Sequence, residues 1–575
     1  MTNFLNLIKE HKWAIILAIL IGIIMAAPHI YFIIDNQDTY QGIFMGGLDE
    51  GPYLSRIQES RDGHYWLSNP FWAEGKDNPY LWPPLPENFA SFFGKILGLG
   101  LINTVLFENF AFPFFLFLIL YALIYQLTEK KSFSLFSSFL IMLTPNLTDP
   151  QALWQLIANQ KTTDTFLVYS RLISPQVHSL FLFGFFLSFL IFLKKKNWII
   201  GILSGIILGL SFYVYPFTWM FIASFLFFLV LIFIFKKEWV EIKNIIWISL
   251  IALLIALPFL INLLQAMQSE FYPEVSFRYG WVKSHSPQIG VTSLILLGSF
   301  LLFFPKKSGK KYDFSLAIVL TPLILLNQQI ITGYFLGPAR YHNYYYKPFA
   351  LIFILIIIYS LIKKTKKFFI WKGLVLLLVL LSVFNAYLVQ KNSYTTYESF
   401  GIESQKYAPV FDWLNQNSQK DEVVLANSYL SDLVPIYTSL NAMANLDAHY
   451  SLTSNQELSE RMFLLYRLDG IGRGYFEETK EIFYSNRERI SKDIYAQKYQ
   501  KEFGSYEMIP DEKIDLLIKG YFNSLAVPTK DVLEKYQVKY LIWDILEDPN
   551  WKISQYPFLE EVYQKNNLKI YRNND

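Results

Sequence analysis

Two carboxylates stand side by side at Asp49 and Glu50, opening the stretch LDEGPYLSRIQESRDGHYWLSNPFWAEGKDNPYLWPPLPE from Leu48 to Glu87. A neighbouring acid and a half-dry interface both disfavour the charged form, so one carboxyl of such a pair is pushed toward neutrality. That is the condition of a group that takes and returns protons. A second chemical set is the arginines. Before residue 390 there are five, Arg56, Arg61, Arg171, Arg278 and Arg340. Their planar fork grips phosphate or carboxylate in a bidentate way that lysine cannot copy. Plainer roles stay open for both sets. The acids could cap a helix beginning near Pro52, since acids favour helix starts. The arginines could pair with loop acids.

The frame that must position these groups is apolar. The chain has 575 residues, 53% hydrophobic and 17% charged, against about 25% charged in a typical soluble domain. A membrane crossing needs roughly 20 mostly apolar residues. Candidate spans are 13–34, 104–127, 132–147, 176–193, 198–215, 217–235, 244–265, 290–304, 313–332, 345–362 and 369–389, with 132–147, 198–215 and 290–304 short. The first is too long for a signal-peptide core and reads as a retained anchor. The sequence has no cysteine, which excludes disulfides, thiol nucleophiles and cysteine-held metals. A net charge of +3 gives no case for a nucleic-acid partner.

Lysines mark the turns. Lys9 and Lys12, Lys130 and Lys131, Lys194 to Lys196, Lys236 with Lys237 and Lys243, Lys306 to Lys311, and Lys363 to Lys367 fall on alternate connections. The excess of positive charge on cytoplasmic loops makes these the inner turns. The amino terminus is then cytoplasmic and the segment after the last span extracytoplasmic. All five arginines fall on outer segments, among many acids. As a set they suit an outward cavity for an anionic headgroup. The span interiors hold few ionisable groups, with His29 and His178 toward the outer ends, which weakens an ion-coupled transporter.

After Gln390 the apolar runs stop. Ala408 to Asn417 reads as an amphipathic helix, Glu422 to Asn427 and Val538 to Asp544 as strands, Val532 to Tyr536 as helical, and the closing LEEVYQKNNLKIYRN as helix then strand. This predicts residues 391–575 as an α/β domain. Residues 1–390 form the membrane unit, with a large first outer loop at 35–103. Gly470-Ile-Gly472-Arg-Gly474 is only a weak phosphate-loop candidate, because no strand precedes it.

Asp49-Glu50, Tyr53, the run through Ile57 to Gly63 and Pro83-Pro84-Leu85 follow the order seen in one family. They resemble the first outer loop of the C-type (GT-C) membrane glycosyltransferases, in the protein mannosyltransferase and aminoarabinose transferase branch. Glu50, Tyr53 and Arg56 also resemble the acid, tyrosine and arginine of oligosaccharyltransferase catalytic subunits. Trp82 stands where the first branch often has lysine, and the second outer loop lacks an Asp-x-Asp motif. The likeness implies a polytopic helical membrane protein of about 11 spans with a GT-C-like fold and an extracytoplasmic α/β domain. It implies a polyprenyl-phosphate-linked sugar as donor. The phosphate is already a good leaving group, so the enzyme needs a base for the acceptor hydroxyl and cations for the departing phosphate.

On that likeness Asp49 is the expected base, Glu50 its partner, and transfer inverts the sugar carbon. Arg340 or Arg171 would hold the donor phosphate, with Tyr341, His342 and Tyr344 beside it. Tyrosines in an interfacial belt around a satisfied arginine are the alternative. Tyr53, Arg56 and Trp82 are candidates for acceptor or sugar contact. Trp66, Trp72 and Trp82 could stack on sugar faces or anchor the loop. The acceptor would be a glycan, lipid or protein, in the setting of membrane lipid at the outer face of the cytoplasmic membrane. The sequence establishes no cofactor and leaves a metal requirement open. A divalent metal (Mg or Mn) enters with the rival, oligosaccharyltransferase-like transfer of a whole glycan. A non-catalytic glycan-binding or transport component is the other rival.

Overall fold

The computed structural model describes residues 9–574 except 48–49, 163, 280–281, 306–308, 336, 338–339, 366–367 and 485–509. Among the described residues, eight helices are long and apolar enough to cross a membrane: Lys12–Asp35, Leu101–Thr128, Gln176–Lys195, Pro216–Phe235, Trp239–Gln268, Lys310–Thr332, Tyr341–Lys364 and Phe369–Asn417. Three shorter apolar helices, Lys131–Leu143, Trp198–Ser211 and Val291–Phe303, occupy the segments whose length fell short in the sequence. All eleven apolar segments are therefore helical, and the chain is a multi-pass membrane protein. Their faces carry exposed leucine, isoleucine and phenylalanine, as a lipid-facing bundle requires.

The lysine clusters meet at one end of this bundle. Lys131 pairs with Glu10 at 2.5 Å. Lys311 and Lys194 share Glu129 at 2.7 and 3.7 Å, and Lys311 and Lys194 hold that carboxyl below its usual range. Lys310 pairs with Glu238, Lys196 with Glu241 and Lys236 with Asp313. Turns far apart in sequence thus share one charged layer.

At the opposite end the first outer loop folds against the C-terminal domain. The loop holds two helices, Gly51–Arg61 and Leu85–Ile96. Pro52 lies in the first turn of the former and Pro86 in that of the latter, where a missing N–H costs nothing. A two-stranded ribbon pairs β1 (Val282–Lys283) with β2 (Tyr334–Phe335). The C-terminal sheet contains β3 (Val423–Leu425), β4 (Asn441–Ala442), β5 (Val538–Asp544), β6 (Leu559–Lys565) and β7 (Leu568–Asn573), in the order β4-β3-β5-β7-β6. The first three are parallel and the last two antiparallel.

Alternation along β3 sends Val423 and Leu425 to one face and Val424 to the other. The first face packs on Met443, Leu458, Met462 and the loop residues Phe71 and Trp72. The second packs on Tyr407, Val410, Phe411 and Leu430. Ala442 donates its N–H to the Phe71 carbonyl at 2.9 Å, so the outer loop extends the edge of the sheet.

One sequence expectation changes. The closing segment is a hairpin, not helix then strand. Lys565 pairs with Leu568, and the two-residue loop between them has Asn566 at φ 53, the left-handed geometry such hairpins need. The boundary placed at 390 falls inside an unbroken helix, Phe368–Ser404. Gly470 (φ 71) turns the chain between helices Asn455–Leu468 and Arg473–Tyr484, so the glycine-rich run follows a helix and not a strand.

Candidate functional site

Asp49 lies outside the described residues; Glu50 beside it is described. Glu50 occupies the cap position of helix Gly51–Arg61, yet its side chain makes no capping hydrogen bond. Its carboxylate instead folds back over Gly47, where a Cβ would meet Oε2 at 2.6 Å. A side chain at position 47 would therefore displace the acid. On its other flank Glu50 Oε1 lies 3.8 Å from His29 Nε2. His29 is buried near the outer end of the first span and stacks on Phe44 at 4.3 Å. The His29 Nδ1 atom has no hydrogen-bond partner among the described residues.

These groups border a cleft with Tyr53, Ser170 and Arg171, with about 30 Å³ of water-accessible space. That volume suits a water or two. It suits a proton path and is too small for a sugar ring. Another acid of the loop, Asp62, is pushed up to about 6 by burial, tempered by a hydrogen bond from Gln58. It does not line this cleft.

Behind the cleft lies a cluster of tyrosines and arginines from three connections. Arg171 donates to the Tyr344 hydroxyl at 2.8 Å and lies over the Phe166 ring at 4.8 Å. Arg340 donates to the Tyr215 hydroxyl and lies 5.7 Å from the Phe217 ring. Both guanidiniums are within electrostatic range of Tyr215 and His178. His178 bonds Tyr345 through Nδ1 at 2.7 Å and Ser174 through Nε2 at 3.0 Å. Thr218 in turn bonds Tyr345. Arg340 is exposed and forms no ion pair among the described residues. It opens a six-residue π-helical turn, Tyr341–Tyr346, a wide-turn geometry frequent at functional sites.

The structure separates the sequence candidates. Glu50, Tyr53 and Arg171 share the cleft, and the charge of Arg340 reaches Tyr53. Tyr341 turns away: it is buried against Phe217 with its hydroxyl on Met220. His342 faces Tyr346 at 6.2 Å and does not line the cleft. Arg56 is 1% exposed and holds the loop together. It pairs with Glu87 at 2.9 Å, donates to the carbonyls of Leu67, Trp82 and Pro83, and lies under the Trp82 ring at 4.6 Å.

Trp82 contacts Tyr53 edge-on at 5.4 Å and is half-buried. Trp72 is buried in the domain junction, donating to the Asn445 carbonyl at 3.1 Å beneath Arg461. Trp66 is exposed and stacks on Tyr80. Sequence reasoning gave no role to Gly47, His29 or Tyr215. A tyrosine directly before Pro216 at a span start was a local signal for Tyr215; Gly47 acts on Glu50 three residues along, and His29 through a contact distant in sequence.

Among the described residues no group of three or more His, Asp or Glu gathers so as to hold a metal ion. The arrangement can accept a proton at Glu50 and bind an anion at Arg340.

No protein-family model matches the chain, and no curated protein matches it. Among solved structures, ArnT from Cupriavidus metallidurans in the apo state is similar to it over 92% of this chain and 93% of that one, at 11% identity and a TM-score of 0.42. A likeness of that degree does not bear on activity.

Proposed function

We propose that this chain is an inverting glycosyltransferase that moves a sugar from a polyprenyl-phosphate donor to a hydroxyl of a glycan, lipid or protein at the outer face of the cytoplasmic membrane. The observation that carries the reading is the convergence of Glu50, Tyr53 and Arg171 on one cleft at the bundle end where Arg340 meets a tyrosine hydroxyl and, among the described residues, no carboxylate. The lysine layer then faces the cytoplasm, as the charge rule requires.

In the reaction the acceptor oxygen attacks the anomeric carbon as the bond from that carbon to the phosphate oxygen breaks. The hydroxyl proton passes to a carboxylate of the Asp49-Glu50 pair, and the electron pair leaves with the polyprenyl phosphate. Arg340 and Arg171 stabilise the charge that grows there, the kind of contribution made by donors placed before the reaction begins. Gly47 keeps Glu50 turned toward His29, which lies on the far side of the carboxylate.

The test uses the full chain in lipid nanodiscs with a panel of polyprenyl-phosphate sugars and candidate acceptors. Asp49→Asn and Glu50→Gln are compared with the parent. Loss of transfer in at least one, with an unchanged unfolding temperature, is the expected result. Full turnover in both would remove the acidic pair from the chemistry.

A further inference from the structure

The paired lysine layer uses every carboxylate in its turns. Those turns hold Glu10, Glu129, Glu238, Glu241 and Asp313 and no other acid, and each of these meets a lysine of the same end. A second set of lysines lies outside the layer. Lys195, Lys237, Lys243, Lys363, Lys364 and Lys372 are exposed, and among the described residues none has a hydrogen bond or an ion pair. The whole chain carries a net charge of only +3, so the surplus here is offset by acids elsewhere. A bundle ~30 Å long separates the two ends, several times the ~8 Å Debye length. Those distant acids do not neutralise these lysines.

Local structure accounts for only part of the set. Lys363 and Lys364 fall in the last turn of helix Lys347–Lys364, where the helix dipole favours a cation. Lys243 and Lys372 stand in the second turn of helices Trp239–Gln268 and Phe368–Ser404, where it gives a cation no support.

Aromatic rings fix the depth of this surface. Trp13, Trp198, Trp239 and Phe369 are exposed, and each is the first or second residue of its helix at this end. Exposed tryptophan at the end of a span sits at the level of the lipid headgroups. Neighbouring lysines lay their stems along apolar surface and hold their ammonium groups among the phosphates. An acidic protein would approach from the water beyond that level, so the depth favours lipid.

We propose that these six unpaired lysines form a docking surface for anionic phospholipid headgroups in the leaflet at their end of the bundle. The turns contain no arginine, so recognition is by point charge and not by a bidentate fork. Headgroups of equal charge are therefore bound alike. The surface is separate from the outer cleft and does not depend on what the chain transfers.

The experiment equilibrates the full chain in detergent with equal amounts of phosphatidylglycerol and phosphatidylcholine and counts the lipids that stay bound. The parent should prefer phosphatidylglycerol about tenfold or more, retain phosphatidylserine equally well, and lose the preference in about 1 M salt. Two triple variants, Lys195→Gln/Lys237→Gln/Lys243→Gln and Lys363→Gln/Lys364→Gln/Lys372→Gln, should each lower the preference severalfold. The matching arginine variants should keep it, as should Lys311→Gln from the paired layer. Because lysines also direct insertion, the inserted parent supplies a second reading. Acetylation of the six should be severalfold slower in phosphatidylglycerol nanodiscs than in phosphatidylcholine nanodiscs. A parent without preference, or two triple variants that keep it while acetylation is equal in both bilayers, would overturn the proposal. Displacement of phosphatidylglycerol by millimolar glycerol phosphate would identify a site for soluble phosphate and overturn it as well.

Discussion

At one end of the helix bundle, Lys131, Lys194, Lys196, Lys236, Lys310 and Lys311 each meet a carboxylate of the same chain. At the other end, Arg340 meets a tyrosine hydroxyl and Arg171 donates to another. Both ends are cationic, but their charge is neutralised differently. The lysine layer is complete from its own acids, which suits a device that only has to fix orientation. On the proposed function, the tyrosine-bound Arg340 keeps its charge for the donor phosphate. Not every arginine behaves so. Arg56 is closed by Glu87, and Arg278 by backbone carbonyls.

The comparison can be broken at several points. Of Asp49→Asn and Glu50→Gln, at least one should lower transfer by ~10²–10⁴-fold, the usual range for a proton-transfer group. The matching change at the lysine end, Glu129→Gln, should leave turnover untouched. A normal rate in both variants of the acidic pair, or a collapse in Glu129→Gln, would erase the contrast.

Within the arginine end, Arg56→Leu strands Glu87, which is fully buried. A broken buried pair costs about 3–5 kcal/mol, read as a fall in unfolding free energy. Adding Glu87→Leu should recover part of it. A stable single variant would show that Arg56 is not the loop's fastener.

Arg340→Gln should weaken binding of undecaprenyl phosphate about 10- to 100-fold, as expected for charge-assisted bonds of ~1.5–3 kcal/mol, with little change in unfolding. Unchanged affinity would end its assignment as phosphate ligand. The smallest effect belongs to Lys311→Gln. Its pair with Glu129 is largely exposed, so the loss should stay within about 1 kcal/mol and shrink further in salt, with lipid binding unaffected.

Much of the frame could be seen in the sequence because hydropathy acts locally. Each apolar segment is a helix, and Val538 to Asp544 forms the strand its β-branched and aromatic residues predict. The closing hairpin was misread for a definable reason. Leu559, Val562 and Tyr563 are spaced as on a helix face, while the turn at Asn566-Asn567 decides for strands.

The candidate site was only partly legible. Motif order pointed to Glu50 and Tyr53, and both border the cleft. Arg56 could not be told from Arg340 by type or setting. Its partner Glu87 is distant in sequence and reaches it only through the turn of helix Leu85–Ile96.

Helix Phe368–Ser404, at 37 residues, is about 55 Å long at ~1.5 Å per residue, against a hydrocarbon layer of ~30 Å. Roughly half of it stands clear as a stiff mast, braced by Tyr394 against Asp35 and by Gln405 against the backbone of Ile43. The height and heading of the sheet above the lipid are set by the phase of this mast. One inserted residue would swing the domain by about 100° and carry Tyr450 away from Trp82, without altering any side chain in either.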